Sequence, residues 1–317
     1  MRPIKVSAPG KLHILGEHAV VYGKPALLTA VNRRMSIKIV SSRKKQIQGV
    51  WEYEKEVKQL LKILEEEIQK RKNLKSIMPY SIKINSQVPI GSGLGSSATL
   101  SAGLTASLLS FLRVPWDKKT IFDIAYLGEK FFHGNPSGGD LAAVIEGGFL
   151  WYRKEFEFLK TFASLPFKPH KNIGQFILIN SGKPKESTKE MVEKVAQLKT
   201  ATPEKTQALF NSQEELTKQM VVALKTGDEN KLINCIRLGE RNLEKLGVVG
   251  NKAKSIIRSI EKLGGAAKIN GGGGKKEGSG MLLVYHKDME KVLSLAKQKK
   301  LEVLKIQIGV EGLRRDE

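Results

Sequence analysis

The run Pro89 to Thr99, P-I-G-S-G-L-G-S-S-A-T, sets Gly91, Gly93 and Gly95 at alternate positions ahead of Ser96 and Ser97. Glycine, lacking Cβ, lets a backbone turn sharply and come close to a ligand. The two serines fall where a starting helix has unpaired N–H groups and the positive end of its dipole, a combination that seats phosphate. Two better-known phosphate motifs do not fit. The dinucleotide fingerprint would need glycine where Ser96 stands, and the P-loop needs a Lys-Ser or Lys-Thr that this run lacks. Taken alone, the segment reads equally well as a glycine turn with a serine helix cap or as an anion site.

Other side chains with chemical potential lie at turns. Lys11 follows Pro9-Gly10, which is expected to end a short strand from Ile4 to Ala8. By itself it could equally be a surface lysine. Glu17 and His18 sit between apolar runs and could be a hydrogen-bonded loop pair. His13 and His18 are five apart with no cysteine or third ligand nearby, which argues against a metal site there. Asp140 closes the turn-rich run H-G-N-P-S-G-G-D, His133 to Asp140, and precedes L-A-A-V-I, so its plain reading is a helix N-cap. Glu129 stands near the end of the helix expected over Lys118 to Phe132.

The elements that must carry these groups follow from periodicity. Ser81 to Asn85 alternates as a half-buried strand, and Leu100 to Leu112 is apolar enough for a buried helix, so the glycine run joins strand to helix. Met35 to Val40 is another strand. Glu52 to Lys72 is an amphipathic helix whose stripe is Val57, Leu60, Leu61, Leu64 and Ile68. A strand over Phe149 to Tyr152 precedes a basic, proline-containing stretch, Leu159 to Lys171, expected to be a linker. Beyond it come a strand, Gln175 to Asn180, and helices over Thr188 to Lys199, Pro203 to Lys225, Glu229 to Leu246 and Asn251 to Leu263. Strand Ala266 to Ile269, strand Met281 to Tyr285, helix Lys287 to Lys299 and strand Val303 to Gly309 complete a split βαβ, α+β order.

With 317 residues, 40% hydrophobic and 27% charged, the chain is long enough for two medium globular domains. Its charge of +22 would draw anionic partners such as nucleotides or phosphorylated metabolites. The basic residues are scattered in short groups, however, and aromatics are only 6%, which disfavours an RNA-binding protein. Cys235 stands alone and suits a reducing compartment. The amino terminus lacks an apolar signal region, and the uncharged stretch Ile84 to Leu112 is interrupted by proline, glycine and serine, so neither export nor a membrane span is expected. A cytoplasmic enzyme is the expectation.

Three stretches coincide with one family: S-A-P-G-K-L-H-I-L-G-E-H-A-V-V-Y-G-K-P near the start, P-I-G-S-G-L-G-S-S-A in the middle, and N-G-G-G-G near the end. Over nearly its whole length the chain resembles the GHMP small-molecule kinases. The resemblance implies an α+β, two-domain GHMP kinase fold. A ribosomal-protein-like amino-terminal domain (1–165) and a ferredoxin-like carboxy-terminal domain (172–317) would enclose a cleft for substrate and ATP. Phosphorylating an alcohol needs a phosphate cradle, a divalent cation and a group to position or deprotonate the hydroxyl.

By resemblance, Gly91, Ser92, Gly93, Leu94, Gly95, Ser96 and Ser97 take the phosphates, and Ser97 and Glu129 hold Mg²⁺. Asp140 receives the proton of the acceptor alcohol and Lys11 stabilises the alkoxide. The segment G-E-H-A-V-V-Y-G-K-P-A and the run His133 to Asp140, with Glu129 eleven residues before Asp140, imply mevalonate as that alcohol. Phosphomevalonate, homoserine or a sugar are the alternatives within the family. Glu17, His18, Thr188 and Gly272 match positions at the acceptor site. No nucleic-acid or membrane partner is implied, and a homodimer is compatible. One departure stands out: where the family usually has threonine or serine and then G-A-G-G-G-G-C, this chain reads I-N-G-G-G-G-K-K-E-G-S-G. Lys275 and Lys276 could meet phosphate or face water.

Overall fold

The computed structural model describes residues 3–49, 51–134, 136–156 and 159–316, with Trp51 by its backbone alone. The outermost residues of the two expected domains, and Asn135 within the turn-rich run, lie outside the described residues.

The first strand does not stop at Pro9-Gly10. It runs as β1 from Ile4 to Leu15 against β2, Ala26–Ser41, with a register shift between Pro9 and Gly10. The bulge absorbs the proline's missing donor and lets pairing resume, so Lys11 sits within a strand rather than at a turn. Its N–H is bonded to the Leu94 carbonyl at 2.9 Å.

Around this pair grows a seven-stranded sheet. Strand β3, Gln46–Gln48, lies parallel to β4, Tyr80–Ser86, which pairs with β2. Helices α1, Glu54–Lys72, α2, Ser96–Phe111, α3, Lys118–His133, and α4, Gly139–Glu146, belong to the same half. Alternation along the strands sends Val6, Ala8, Ile37, Ile39, Ile82 and Ile84 into a core with Leu60, Leu64, Leu108 and Ile124 of the helices. Each of these valine, isoleucine and leucine side chains, fully buried, contributes roughly 1.5–3 kcal/mol.

Strand β5, Phe149–Lys154, pairs with β2 and with β6, Lys160–Leu165. Part of the expected linker is therefore an edge strand. Its mostly exposed residues carry no apolar alternation, so pairing with β5 is what makes it a strand.

The second half matches its expected order. Strand β7, Phe176–Asn180, is followed by α5, Thr188–Ala201, α6, Pro203–Thr226, α7, Glu229–Lys245, and α8, Asn251–Lys262. Then come β8, Ala266–Ile269, β9, Met281–Tyr285, α9, Met289–Gln298, and β10, Val303–Ile306. The sheet order is β10-β7-β9-β8, antiparallel throughout, as the split βαβ pattern requires. The strand expected over Val303 to Gly309 ends at Ile306.

The chain then returns to the first half. Strand β11, Arg314–Asp316, which periodicity does not reveal, pairs with β1. Arg34 fixes this return by donating to the carbonyls of Ser7, Glu311 and Gly312. The halves also share a core in which Leu12, Ile14, Leu27 and Val31 meet Leu178, Met220, Ile236 and Leu283. Strand β1 thus carries both Lys11 and the wall on which the second half rests.

Candidate active site

Lys11 and His13 lie two apart on β1 and so share a face. That face meets Asp140 in the first turn of α4. Lys11 Nζ is 2.9 Å from Asp140 Oδ2, and His13 Nε2 is 3.4 Å from Oδ1. The helix cap is Gly138, in a left-handed conformation, and not Asp140 as its sequence position suggests. Only glycine enters that conformation readily, which frees the aspartate to face the strand. Lys11 is 3% exposed, whereas the Asp140 side chain retains 36% of its surface. Burial alone would push the Asp140 carboxyl up, but the Lys11 ammonium and His13 outweigh it and hold it well below the ordinary carboxylate range.

The glycine run wraps the other side of Lys11. Gly91, Gly93 and Gly95 all have φ between 70° and 76°. A Cβ on Gly95 would lie 2.8 Å from Lys11 Cγ, so that position must stay bare for the loop to close on the lysine. Leu94 is buried and serves through its backbone, its carbonyl accepting from Lys11. Ser92 donates its hydroxyl to the Pro89 carbonyl at 2.7 Å, which braces the loop. Ser96 and Ser97 open α2. Among the described residues, the N–H groups of Gly91 and of Gly93 to Ala98 make no hydrogen bond to the protein, while the turn at Ile90–Gly91 engages that of Ser92. These donors and the helix dipole together make an anion seat.

Ser97 and Glu129 adjoin it. Glu129 is buried on α3, and its Oε1 has no hydrogen-bond partner. Burial and then the Asp140 charge push its carboxyl up to about 7, against the pull of the Ser97 hydroxyl and Lys11. A buried carboxylate oxygen with no donor, beside a hydroxyl and an anion seat, is an environment that a cation would complete. Ser97 Oγ also lies 2.9 Å from His133 Nε2. Among the described residues no group of three or more His, Cys, Asp or Glu side chains could hold a metal, so an ion here would need ligands from a bound nucleotide or water.

The expected acceptor residues divide. His18 Nε2 is 3.0 Å from the Gly272 carbonyl, and Gly272 is packed against Thr188 so closely that a Cβ would lie 3.0 Å from Thr188 Cγ2. Burial lowers the His18 pKa, which favours a neutral ring that donates to this carbonyl. Glu17, in contrast, is bound to Lys268 of β8 in a buried pair. Its Oε1 is committed to that lysine, while Oε2 is buried with no hydrogen-bond partner among the described residues.

Sequence reasoning missed four participants: His13, His133, Lys268 and Asn270. The spacing of Lys11 and His13 would have exposed the first, had the strand been carried through the bulge. Asn270 was visible only as a departure. It is 3% exposed, its Oδ1 accepts from the His13 N–H at 3.1 Å, and its Nδ2 donates to the Gly93 carbonyl at 3.2 Å.

Comparisons with known proteins bear on the family and the fold. The family described as GHMP kinases N terminal domain matches residues 55–148. A mevalonate kinase of Archaeoglobus fulgidus is 32% identical over 268 residues, covering 84% of this chain and 88% of its own. One from Schizosaccharomyces pombe is 28% identical, covering 97% and 90%. The crystal structure of L. major mevalonate kinase in complex with R-mevalonate superposes with a TM-score of 0.82 at 18% identity, covering 97% of this chain and 96% of that one.

Proposed function

This chain belongs to the GHMP kinases, within the mevalonate kinase family, and from that premise we propose that it transfers the γ-phosphoryl group of ATP to the primary hydroxyl of mevalonate. The product is 5-phosphomevalonate, an early intermediate in isoprenoid synthesis. The observation that carries the reading is the Lys11–Asp140 pair at 2.9 Å, closed over by the Gly91-to-Ser97 run and flanked by Glu129.

In the transfer, a bond forms between the acceptor oxygen and Pγ, the bond from Pγ to the bridging β-phosphate oxygen breaks, and the hydroxyl proton leaves. Asp140 is a weak base because Lys11 and His13 hold it ionised. In a loose transition state the hydroxyl need lose its proton only late, so a carboxylate that first orients the O–H and then accepts the proton is sufficient. Lys11, its ammonium beside the same oxygen, stabilises negative charge as it appears. The N–H groups of the glycine run and of the first turn of α2 hold the phosphates. Ser97 and Glu129 would hold Mg²⁺, which when bound offsets the charge of the triphosphate. His18, Thr188 and Gly272 are assigned to the acceptor side, with Glu17 acting through Lys268.

No helix among the described residues is long and apolar enough to cross a membrane. A cytoplasmic location is our reading from the lone buried Cys235 and from the water-soluble substrates.

Coupled detection of ADP release by the purified protein with ATP, Mg²⁺ and a panel of mevalonate, phosphomevalonate, homoserine and galactose tests the substrate. Turnover highest with mevalonate is expected. Preference for another alcohol would reassign the enzyme within the family.

A further inference from the structure

We propose that Asn270 is a positioning residue that locks the phosphate loop and the catalytic strand to one point of the second half, in place of the hydroxyl residue usual in the family. The inference rests on the kinase reading for its kinetic consequences and on geometry for the rest.

Asn270 follows β8 directly, and its own N–H is bonded to the Met281 carbonyl of β9, so its backbone belongs to the second sheet. Its side-chain amide reaches the first half twice, to the His13 N–H and to the Gly93 carbonyl. Lys268, two residues earlier, points the same way and donates to the His13 carbonyl at 3.3 Å. Both backbone groups of His13 are therefore held from β8 and the residue that follows it. The side chain of His13, and that of Lys11 two residues before it, are the contacts of Asp140. Movement of β8 relative to β1 is thus transmitted directly to the aspartate.

The second arm acts on the nucleotide. Gly93 O is drawn back to Asn270, and Leu94 O is drawn back to Lys11. Two successive carbonyl dipoles then face protein, leaving the N–H side of the loop for the phosphates. If Gly93 O were released it could swing toward the triphosphate and repel it. Gly93 itself must stay glycine for this contact, since a Cβ would lie 2.9 Å from the Asn270 carbonyl oxygen. A threonine or serine hydroxyl also has a donor and acceptors, but it carries them on one atom of a shorter side chain and so could not reach two partners that the amide meets with separate atoms. An amide, with a donor and an acceptor on one rigid plane, can.

Asn270→Asp separates the arms, because it keeps an acceptor for His13 and sets a carboxylate oxygen against Gly93 O. The expected result is a rise in KM for ATP of about tenfold or more, with KM for mevalonate within about twofold, from loss of one buried hydrogen bond and the new repulsion. Amide hydrogen exchange should quicken at Lys11, whose N–H depends on Leu94 O, while His13 stays protected. Asn270→Ser should lower kcat as well and release the His13 amide, and it replaces the aspartate variant if that one fails to fold. Direct calorimetric binding of ATP and the exchange data do not depend on which alcohol is phosphorylated, so they test Asn270 even if mevalonate proves the wrong acceptor. Wild-type ATP affinity with unchanged exchange at Lys11 and His13 in a folded variant would overturn the inference.

Discussion

Two lysine–carboxylate pairs, one within the first half and one spanning the boundary between halves, do opposite work. Lys11 and Asp140 meet at 2.9 Å with over a third of the aspartate side chain open to solvent. Lys268 and Glu17 are sealed, at 0% and 2% exposure. Lys268 also satisfies the carbonyls of His13 and Ile269. An ion pair with one face open can exchange its partner for a reacting oxygen. A sealed pair cannot, and the cost of removing either member falls on stability. Chemistry and architecture are thus assigned to the same residue types by access to solvent.

The comparison breaks most sharply at the open pair. Asp140→Asn is expected to lower kcat by about 10²–10⁴-fold, and Lys11→Met by a comparable factor, in the ADP-release assay. Lys11→Met should retain the wild-type melting transition to within a few degrees, and Asp140→Asn, which leaves the buried Lys11 ammonium without its carboxylate, should lower it more. At the sealed pair the ranking reverses: Lys268→Met leaves Glu17 as an uncompensated buried charge and should destabilise by about 3–5 kcal/mol in urea denaturation. Lys268→Met with Glu17→Gln should recover a large part of that loss, as a coupled pair does.

A third, smaller effect sharpens the buried side. Glu240 on α7 is buried, and burial pushes its carboxyl up to about 8, against the Ile269 N–H and Lys268. Its folded-state pKa lies above its ordinary 4.5, so the folded protein holds a proton that the unfolded chain has released. The stability this contributes is fully present below about pH 4.5 and is lost as pH rises toward and through about 8. Glu240→Gln should flatten that part of the unfolding free energy measured between pH 5 and 9. The smallest expected change is His13→Leu: the 3.4 Å contact is long, so kcat should fall only about two- to tenfold.

Most elements were legible because their signal is local. The stripe of α1 and the alternation of β4 and β7 show directly in residue order, and the β8-to-β10 half follows from element succession. The strands misread were those whose cause is not local. Strand β1 continues through Pro9-Gly10 because β2 shifts its register to meet it, and β6 and β11 exist through their pairing with β5 and β1. The site shows the same division. Lys11, Ser97, Glu129 and Asp140 could be named from motifs, and they converge. The roles of His13, Lys268 and Asn270 depend on contacts between residues more than 120 positions apart, or on a strand carried past a proline, and periodicity holds no trace of them.

Parallel measurement of mevalonate-dependent ADP release and of ATP affinity in wild-type protein and Asp140→Asn addresses the open pair most directly. Turnover that falls at least a hundredfold while nucleotide affinity is retained is the expected result. Undiminished turnover in the variant would contradict the assignment of Asp140 as the group that orients and deprotonates the acceptor.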